Sequence, residues 1–363
     1  MGKKIIIAGG GTGGHIFPAV AIANALRKKE PDMDILFVGA NGKMEMEKIP
    51  EAGYSIKGID IAGYNRSSLI KNFALPYKLI KSFLQVKGIF NKFKPQAAIG
   101  VGGYSTFPVL RYAQARGIPT FIHESNSVAG KANRMLGKKA TRIFSASDGM
   151  EKFFPNNKLI YTGNPVRMNV VSSQISREEG VAFFGLDPAL TTVLITGGSL
   201  GARSMNEAID AGIPQLIKNR IQLIWQTGKS FSKQAAAHAA ESKLIWTGEF
   251  ISKMEYAYAA ADIVVSRSGS VLYELCVVRK PVIFVPYPHA AEDHQTANAV
   301  NLVNKKAAIM IPDKEAPGKL VAEIIRLAAS KPEQEILSEN IGRLSITDAD
   351  SRIANEILKI LND

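Results

Sequence analysis

The residues most able to do chemistry open the chain: Gly9-Gly10-Gly11-Thr12-Gly13-Gly14-His15. They follow an apolar run, residues 4–8, that reads as a buried strand. They precede a stretch in which Ile16, Val20, Ala23 and Leu26 recur at helical spacing. A strand, a glycine turn and a helix N-terminus let backbone N–H groups approach an anion closely, because no β-carbon stands in the way. Packing alone also uses such turns, so the loop by itself does not name a ligand. His15, at the helix entrance, adds a group that titrates near neutrality and suits general-base work.

Gly9, Gly11 and Gly14 also satisfy G-x-G-x-x-G. A dinucleotide site pairs that motif with an acid at the end of the second strand, which holds the ribose hydroxyls. The second strand here, residues 34–38, runs out into Gly39-Ala40-Asn41, and its one acid, Asp34, stands at its start. The dinucleotide reading loses its discriminator.

Other chemistry-bearing turns recur down the chain. They are Gly100-Val101-Gly102-Gly103-Tyr104-Ser105, His123-Glu124-Ser125-Asn126, Gly197-Gly198-Ser199-Leu200-Gly201-Ala202, Ser266-Arg267-Ser268-Gly269 and Glu292 to Ala299. The elements that must carry them alternate. In the first half, strands are expected near 4–8, 34–38, 55–61, 97–101, 120–123, 142–145 and 159–162. Helices are expected near 16–29, 43–51, 76–93, 105–116, 127–137 and 147–153. A second alternation has strands near 192–196, 223–227, 244–246, 263–266, 281–285 and 307–311. Short β-rich runs separated by helices predict an α/β fold with parallel sheets covered on both faces. Polar residues at the carboxyl ends of such strands are where open sheets bind ligands. Gly163-Asn164-Pro165 reads as a linker. The domains expected are 1–162 and 163–347, with a last helix, 348–361, able to pack back on the first.

Composition narrows the function classes. At 363 residues and 46% hydrophobic, the chain has ample core for two domains. No apolar run is long enough to span a bilayer, and the first apolar stretch passes straight into glycines, unlike a signal peptide. A single cysteine, Cys276, excludes an internal disulfide and a cysteine-cluster metal site. The charge is one-sided: 24 Lys and Arg against 10 Asp and Glu through Pro165, then 21 against 22. No acid falls between Ile61 and His123. A basic half fits nucleic acid, anionic lipid or an acidic substrate. Residues 69–93 place Leu79, Phe83, Val86, Phe90 and Phe93 on one helical face, with Leu84 and Ile89 widening it, while Lys78, Lys81, Gln85 and Lys92 fall largely elsewhere. That pattern reads either as core packing or as a membrane-surface element. Basic residues set among Leu and Phe, with no base-reading motif, argue against nucleic acid.

The ordered set of motifs, GGGTGGH, GVGGYS, HESN, TGNPVR, GGSLGA, SRSG and EDHQTANA, resembles the MurG family of peptidoglycan N-acetylglucosaminyltransferases over essentially the whole chain. The resemblance implies the GT-B fold, two Rossmann-like doubly wound domains facing a cleft. It implies an inverting transfer of GlcNAc from UDP-GlcNAc to the MurNAc 4-hydroxyl of the undecaprenyl-diphosphate-linked pentapeptide, lipid I, giving lipid II. It makes His15 the base. It sets Gly10, Gly11, Thr12, Gly13 and Gly14, with Gly102, Gly103 and Tyr104, on the acceptor's diphosphate. For the donor it implies Thr12, Gly13, Gly14, Asn126, Arg167, Ser199, Phe250, Ile251, Met254, Ser270, Glu274, His294 and Gln295, with Glu274 on the ribose and the 250s segment around uracil.

The resemblance also implies peripheral attachment to the cytoplasmic face of an anionic inner membrane, and a setting among other cell-wall synthesis proteins. Leu69, Ile70, Phe73, Leu75, Lys78, Leu79 and Phe83 are the expected membrane residues. No D-x-D motif sits on a loop where a divalent ion would hold the diphosphate, so no obligatory cofactor or protein-bound metal is expected, although a soluble cation could assist departing UDP. One departure stands out. Gly269 to Glu274 spans five residues where the family has six, and one residue rotates a helical position by about 100°. Two rivals share the fold: a diacylglycerol glycosyltransferase, and a UDP-sugar epimerase that needs no acceptor.

Overall fold

The computed structural model describes residues 2–63, 75–198 and 201–362. Leu69, Ile70, Phe73 and Ser199 therefore lie outside the described residues. The chain forms two compact units. One runs from the N-terminus through Arg167 and is completed by the chain from Thr347 onward; the other is Met168–Ile346.

The first unit holds seven parallel strands: β1 (Lys4–Gly9), β2 (Asp34–Ala40), β3 (Ser55–Ile59), β4 (Ala97–Gly102), β5 (Thr120–Glu124), β6 (Arg142–Ser145) and β7 (Leu159–Tyr161). Their spatial order is β3-β2-β1-β4-β5-β6-β7, so the winding reverses between β1 and β4. Both faces of the sheet are covered at its centre, which is why β1 and β4 read as unbroken apolar runs. Ile5 and Ile7 join one core with Ile16, Ile22 and Leu26 of the helix Gly13–Lys29. Ile353, Ala354 and Ile357 of the last helix, Ala349–Asn362, belong to that same core. Ile6 and Ala8 face the other way, toward Val86, Phe90, Val109 and Leu110.

The unit does not end at Thr162. The N–H groups of Thr162 and Gly163 both donate to Ser145 O, at 3.0 and 3.2 Å, and tie the crossing segment to the end of β6. Val166 is buried, and the Arg167 guanidinium stacks over the Phe17 ring at 5.2 Å. The expected helix 147–153 is only a 3-10 turn, Met150–Lys152, because Gly149 before it is left-handed.

The second unit holds β8 (Thr191–Thr196), β9 (Ile221–Gln226), β10 (Ile245–Gly248), β11 (Ile263–Ser266), β12 (Val282–Phe284) and β13 (Ile309–Met310), ordered β10-β9-β8-β11-β12-β13. The reversal falls between β8 and β11. The helices Arg203–Lys218 and Ala316–Ala328 pack on one face, so close that a β-carbon on Gly212 would lie 2.3 Å from Val321. Trp225 is fully buried and donates its Nε1–H to Asn206 at 3.0 Å. Among the described residues no helix is long and apolar enough to cross a membrane.

Candidate active site

In the first unit the candidate residues gather where the sheet reverses, as open α/β sheets do with ligand sites. β1 and β4 are neighbours, so the loops leaving them touch. Gly10 N donates to Gly102 O at 3.2 Å. Gly103, at φ +90°, lies so close that a β-carbon would fall 2.4 Å from Gly10 O. Only glycine permits both the backbone angle and the approach.

The helix that follows the first loop has Thr12 as its N-cap, yet the Thr12 side chain makes no capping bond and the first turn carries no acid. The partial positive charge of this helix start is not answered by its own side chains. His15 is half-buried, with Nδ1 sealed from solvent and turned toward Gly102, where a β-carbon would stand 2.5 Å away.

One residue that sequence reasoning missed organises this loop. Glu45 is buried between the ends of β1 and β2, and accepts from Gly11 N at 2.7 Å and Ala40 N at 3.0 Å. The dinucleotide signature directs attention to the tip of the second strand. Here the acid stands five residues beyond it and binds the protein's own backbone.

At the end of β5, Glu124 plays a similar part. Its carboxylate is buried and accepts from Asn126 N and Nδ2, Gly130 N and Asn133 Nδ2, at 2.8 to 3.1 Å. Burial raises its pKa, and these bonds oppose the rise. Asn126 is thus oriented by Glu124. His123 is fully buried, and burial chiefly pushes its pKa down to about 4, with nearby His15 adding to the depression. His123 is neutral at pH 7. Tyr104 is exposed, its ring against Gly63. Arg167 belongs here, beside Phe17, rather than among the residues of the second unit, where the expected boundary had put it.

In the second unit, Gly198 and Gly201 flank Ser199 with φ of +85° and +77°. Gln226, at the end of β9, donates to Gly198 O at 2.9 Å and accepts from Ile251 N at 2.9 Å. It fastens the glycine loop to the segment expected around uracil, and occupies the Ile251 N–H that a base could have used. Ile251 and Met254 are buried, whereas Phe250 is exposed.

Glu274 lies on the buried side of the helix Val271–Val278, and its Oε2 accepts from the Tyr258 hydroxyl at 2.8 Å. Ser270 is the N-cap of that helix and makes no side-chain capping bond. Gln295 approaches the same turn: its Nε2 would lie 3.8 Å from a β-carbon on Gly269, and its Oε1 accepts from Tyr287 N at 2.9 Å.

His294 Nδ1 donates to Ala291 O at 2.7 Å, which leaves Nε2 as the acceptor of the neutral ring. Before it, Glu292 and Asp293 both take left-handed backbone angles, φ +50° and +52°, a conformation non-glycine residues adopt at a cost of order 1 kcal/mol each. Arg267, read only as part of a turn, links Asp313, Ser204 and the carbonyls of Val285 and Pro286. Among the described residues no group of three or more His, Cys, Asp or Glu could hold a metal ion.

The membrane residues expected on the helix Leu75–Phe93 divide. Phe83 is half-buried, its ring edge-on to Phe107 at 6.4 Å, and Leu75 and Leu79 are half-buried too. Lys78 is exposed. The stripe through Val86 and Phe90 is core. The apolar residues left outside are Tyr77, Ile80 and Leu84.

Both units are similar to known proteins. Residues 5–145 match the glycosyltransferase family 28 N-terminal domain, and residues 192–353 match the family 28 C-terminal domain. The chain is 49% identical over 361 residues to the UDP-N-acetylglucosamine–N-acetylmuramyl-(pentapeptide) pyrophosphoryl-undecaprenol N-acetylglucosamine transferase of Phocaeicola vulgatus, with 98% of this chain and 96% of that protein covered. To the protein of the same name in Bacteroides fragilis it is 50% identical over 363 residues, covering 98% and 95%. The crystal structure of Acinetobacter baumannii MurG matches with a TM-score of 0.78 at 25% identity, over 99% of this chain and 100% of that one.

Proposed function

The chain belongs to glycosyltransferase family 28, and on that premise we propose how its residues move GlcNAc from UDP-GlcNAc to the MurNAc 4-hydroxyl of lipid I, forming lipid II. The observation that carries the residue roles is the meeting of the two glycine loops of the first unit beside His15.

The acceptor's 4-hydroxyl oxygen attacks the anomeric carbon from the face opposite UDP. The bond from that carbon to the β-phosphate oxygen breaks, its electron pair leaves with UDP, and the hydroxyl proton passes to His15. A neutral imidazole is the competent form, and neutral His123 nearby places no like charge against the proton His15 receives. The N–H groups at the start of the helix Gly13–Lys29, with Gly102 and Gly103, take the acceptor's diphosphate. Arg167 supplies a fork-shaped cation for phosphate. In the second unit the glycine loop after β8 faces the leaving diphosphate, Glu274 takes the ribose, and Gln295 and His294 Nε2 take sugar hydroxyls. Asn126, held by Glu124, contacts the GlcNAc.

The enzyme works without a resident metal, the leaving charge being met by backbone N–H groups and Arg167. Unchanged turnover in chelator would support that reading. Its lipid acceptor cannot leave the bilayer, so we place the enzyme on the cytoplasmic face of the inner membrane as a peripheral protein, among the other proteins of wall synthesis. The deciding experiment is incubation with UDP-GlcNAc and a lipid I analogue. Disaccharide product is expected. Product on diacylglycerol instead, or conversion of UDP-GlcNAc with no acceptor present, would replace this reading.

A further inference from the structure

The buried carboxylate of Glu45 is used by none of the steps above, yet its side chain holds a backbone N–H of the first glycine loop. Gly11 N–H reaches its Oε2 at 2.7 Å, and Ala40 N–H, at the end of β2, reaches its Oε1 at 3.0 Å. The side chain is 1% exposed. Its surroundings are built to admit it: β-carbons on Gly10 and Gly39 would fall 2.2 Å from its carboxyl carbon and 2.6 Å from its Cγ.

The loop is thus pinned on two consecutive residues, Gly10 by Gly102 O and Gly11 by Glu45. The next backbone groups, those of Thr12, Gly13 and Gly14, open the helix, and His15 follows one residue later. A carboxylate on Gly11 also repels any second anion from that N–H and leaves the helix start as the favoured place for one.

We propose that Glu45 is a positioning residue for the transfer, fixing the first glycine loop so that the acceptor's diphosphate and 4-hydroxyl register against the helix start and His15. Placement errors near 1 Å are enough to cost about 100-fold in rate. The inference rests on the reading of this loop as the acceptor site.

Two variants separate the possibilities. Glu45→Gln keeps the shape but offers one acceptor oxygen, setting an amide NH2 against either Gly11 N–H or Ala40 N–H. We expect kcat/KM for a short-chain lipid I analogue to fall about tenfold or more, with the KM for UDP-GlcNAc within about twofold and UDP affinity unchanged by calorimetry. Gly103→Ala is the control, because its β-carbon would drive the two loops apart. If Gly103→Ala leaves acceptor kinetics intact, the loops are not the acceptor site and the underlying reading fails. If it impairs them while Glu45→Gln lowers only the melting temperature and keeps both kinetic constants, the positioning role is wrong and Glu45 serves the fold alone. Equal damage to donor and acceptor constants, or loss of UDP binding, also overturns the proposal, since the lesion then reaches beyond the first loop.

Discussion

The Tyr258 hydroxyl donates to Glu274 Oε2 at 2.8 Å, joining the helices Met254–Ala260 and Val271–Val278 beneath the Ser-Arg-Ser-Gly turn. The turn is one residue shorter than the pattern it resembles, and this bond fixes where the carboxylate ends up. The Tyr258 bond holds the carboxylate proposed above for the ribose. We expect UDP to bind more tightly than dTDP, which lacks one ribose hydroxyl, by about 1–3 kcal/mol, the cost of leaving a buried acceptor unmatched. Glu274→Ala should erase that preference. Tyr258→Phe should weaken UDP by about 1 kcal/mol and keep the preference. Equal affinity for the two nucleotides in the unaltered enzyme would remove Glu274 from the ribose.

His15→Ala should lower kcat by about 100-fold or more, the usual worth of a positioned base. UDP affinity should persist, since His15 is proposed to take the proton of the acceptor hydroxyl and not to hold the nucleotide. Near-normal turnover would take His15 out of the proton transfer.

His123 makes the fold sensitive to acid. Its folded pKa, about 4, is below the ordinary value of 6.5 because burial disfavours the imidazolium. Its contribution to stability is complete above pH 6.5. It is lost as pH falls toward 4, where the unfolded chain takes a proton that the folded chain refuses. The loss is on the order of 3 kcal/mol. Buried Glu124, with its raised pKa, acts in the opposite sense at the acid end, because it protonates sooner in the folded state. The informative measurement is therefore a difference: melting temperature from pH 7.5 to 4 for the unaltered protein and for His123→Asn. The unaltered protein should fall more steeply. Parallel curves would show that His123 titrates normally.

The sheets were legible because their central strands, β1 and β4 in the first unit and β8 and β11 in the second, are buried almost throughout and form contiguous apolar runs. The reversal of winding placed the loops after β1, β4 and β5 together, which the alternation of strands and helices implied. Ties between a side chain and a distant backbone were not legible. Gln226 reaches Gly198 O and Ile251 N, 28 and 25 residues away, and Glu45 reaches Gly11 N across 34. Nothing local in the sequence marks such bonds, and both residues look like ordinary polar positions. The helix Leu75–Phe93 was ambiguous for a different reason. Its apolar arc is wider than one contact face, and only packing against Phe107 and Tyr112 decides which part turns inward.

That decision sets the membrane prediction. Tyr77, Ile80 and Leu84 are 68%, 64% and 64% exposed and fall at helical steps of three and four, so they form one stripe on the outer side. Lys78 and Lys87 are exposed on the same helix, while Lys81 is already engaged by Asp60 at 2.8 Å. Apolar insertion and basic attraction together are what a peripheral helix needs, each free basic residue adding about 1 kcal/mol near an anionic surface. Binding to anionic vesicles should exceed binding to neutral ones and weaken with salt. Replacing Tyr77, Ile80 and Leu84 together with Ser should weaken vesicle binding while sparing the fold and the turnover of a short-chain soluble acceptor, because none of the three is core. Val86→Ala, fully buried on the opposite side, should instead destabilise the unit by about 1–3 kcal/mol, with the vesicle contact intact in the folded fraction. If the triple variant binds vesicles as the unaltered protein does, the stripe is not the contact and the membrane face lies elsewhere. If binding ignores both lipid charge and salt, Lys78 and Lys87 have no part in it.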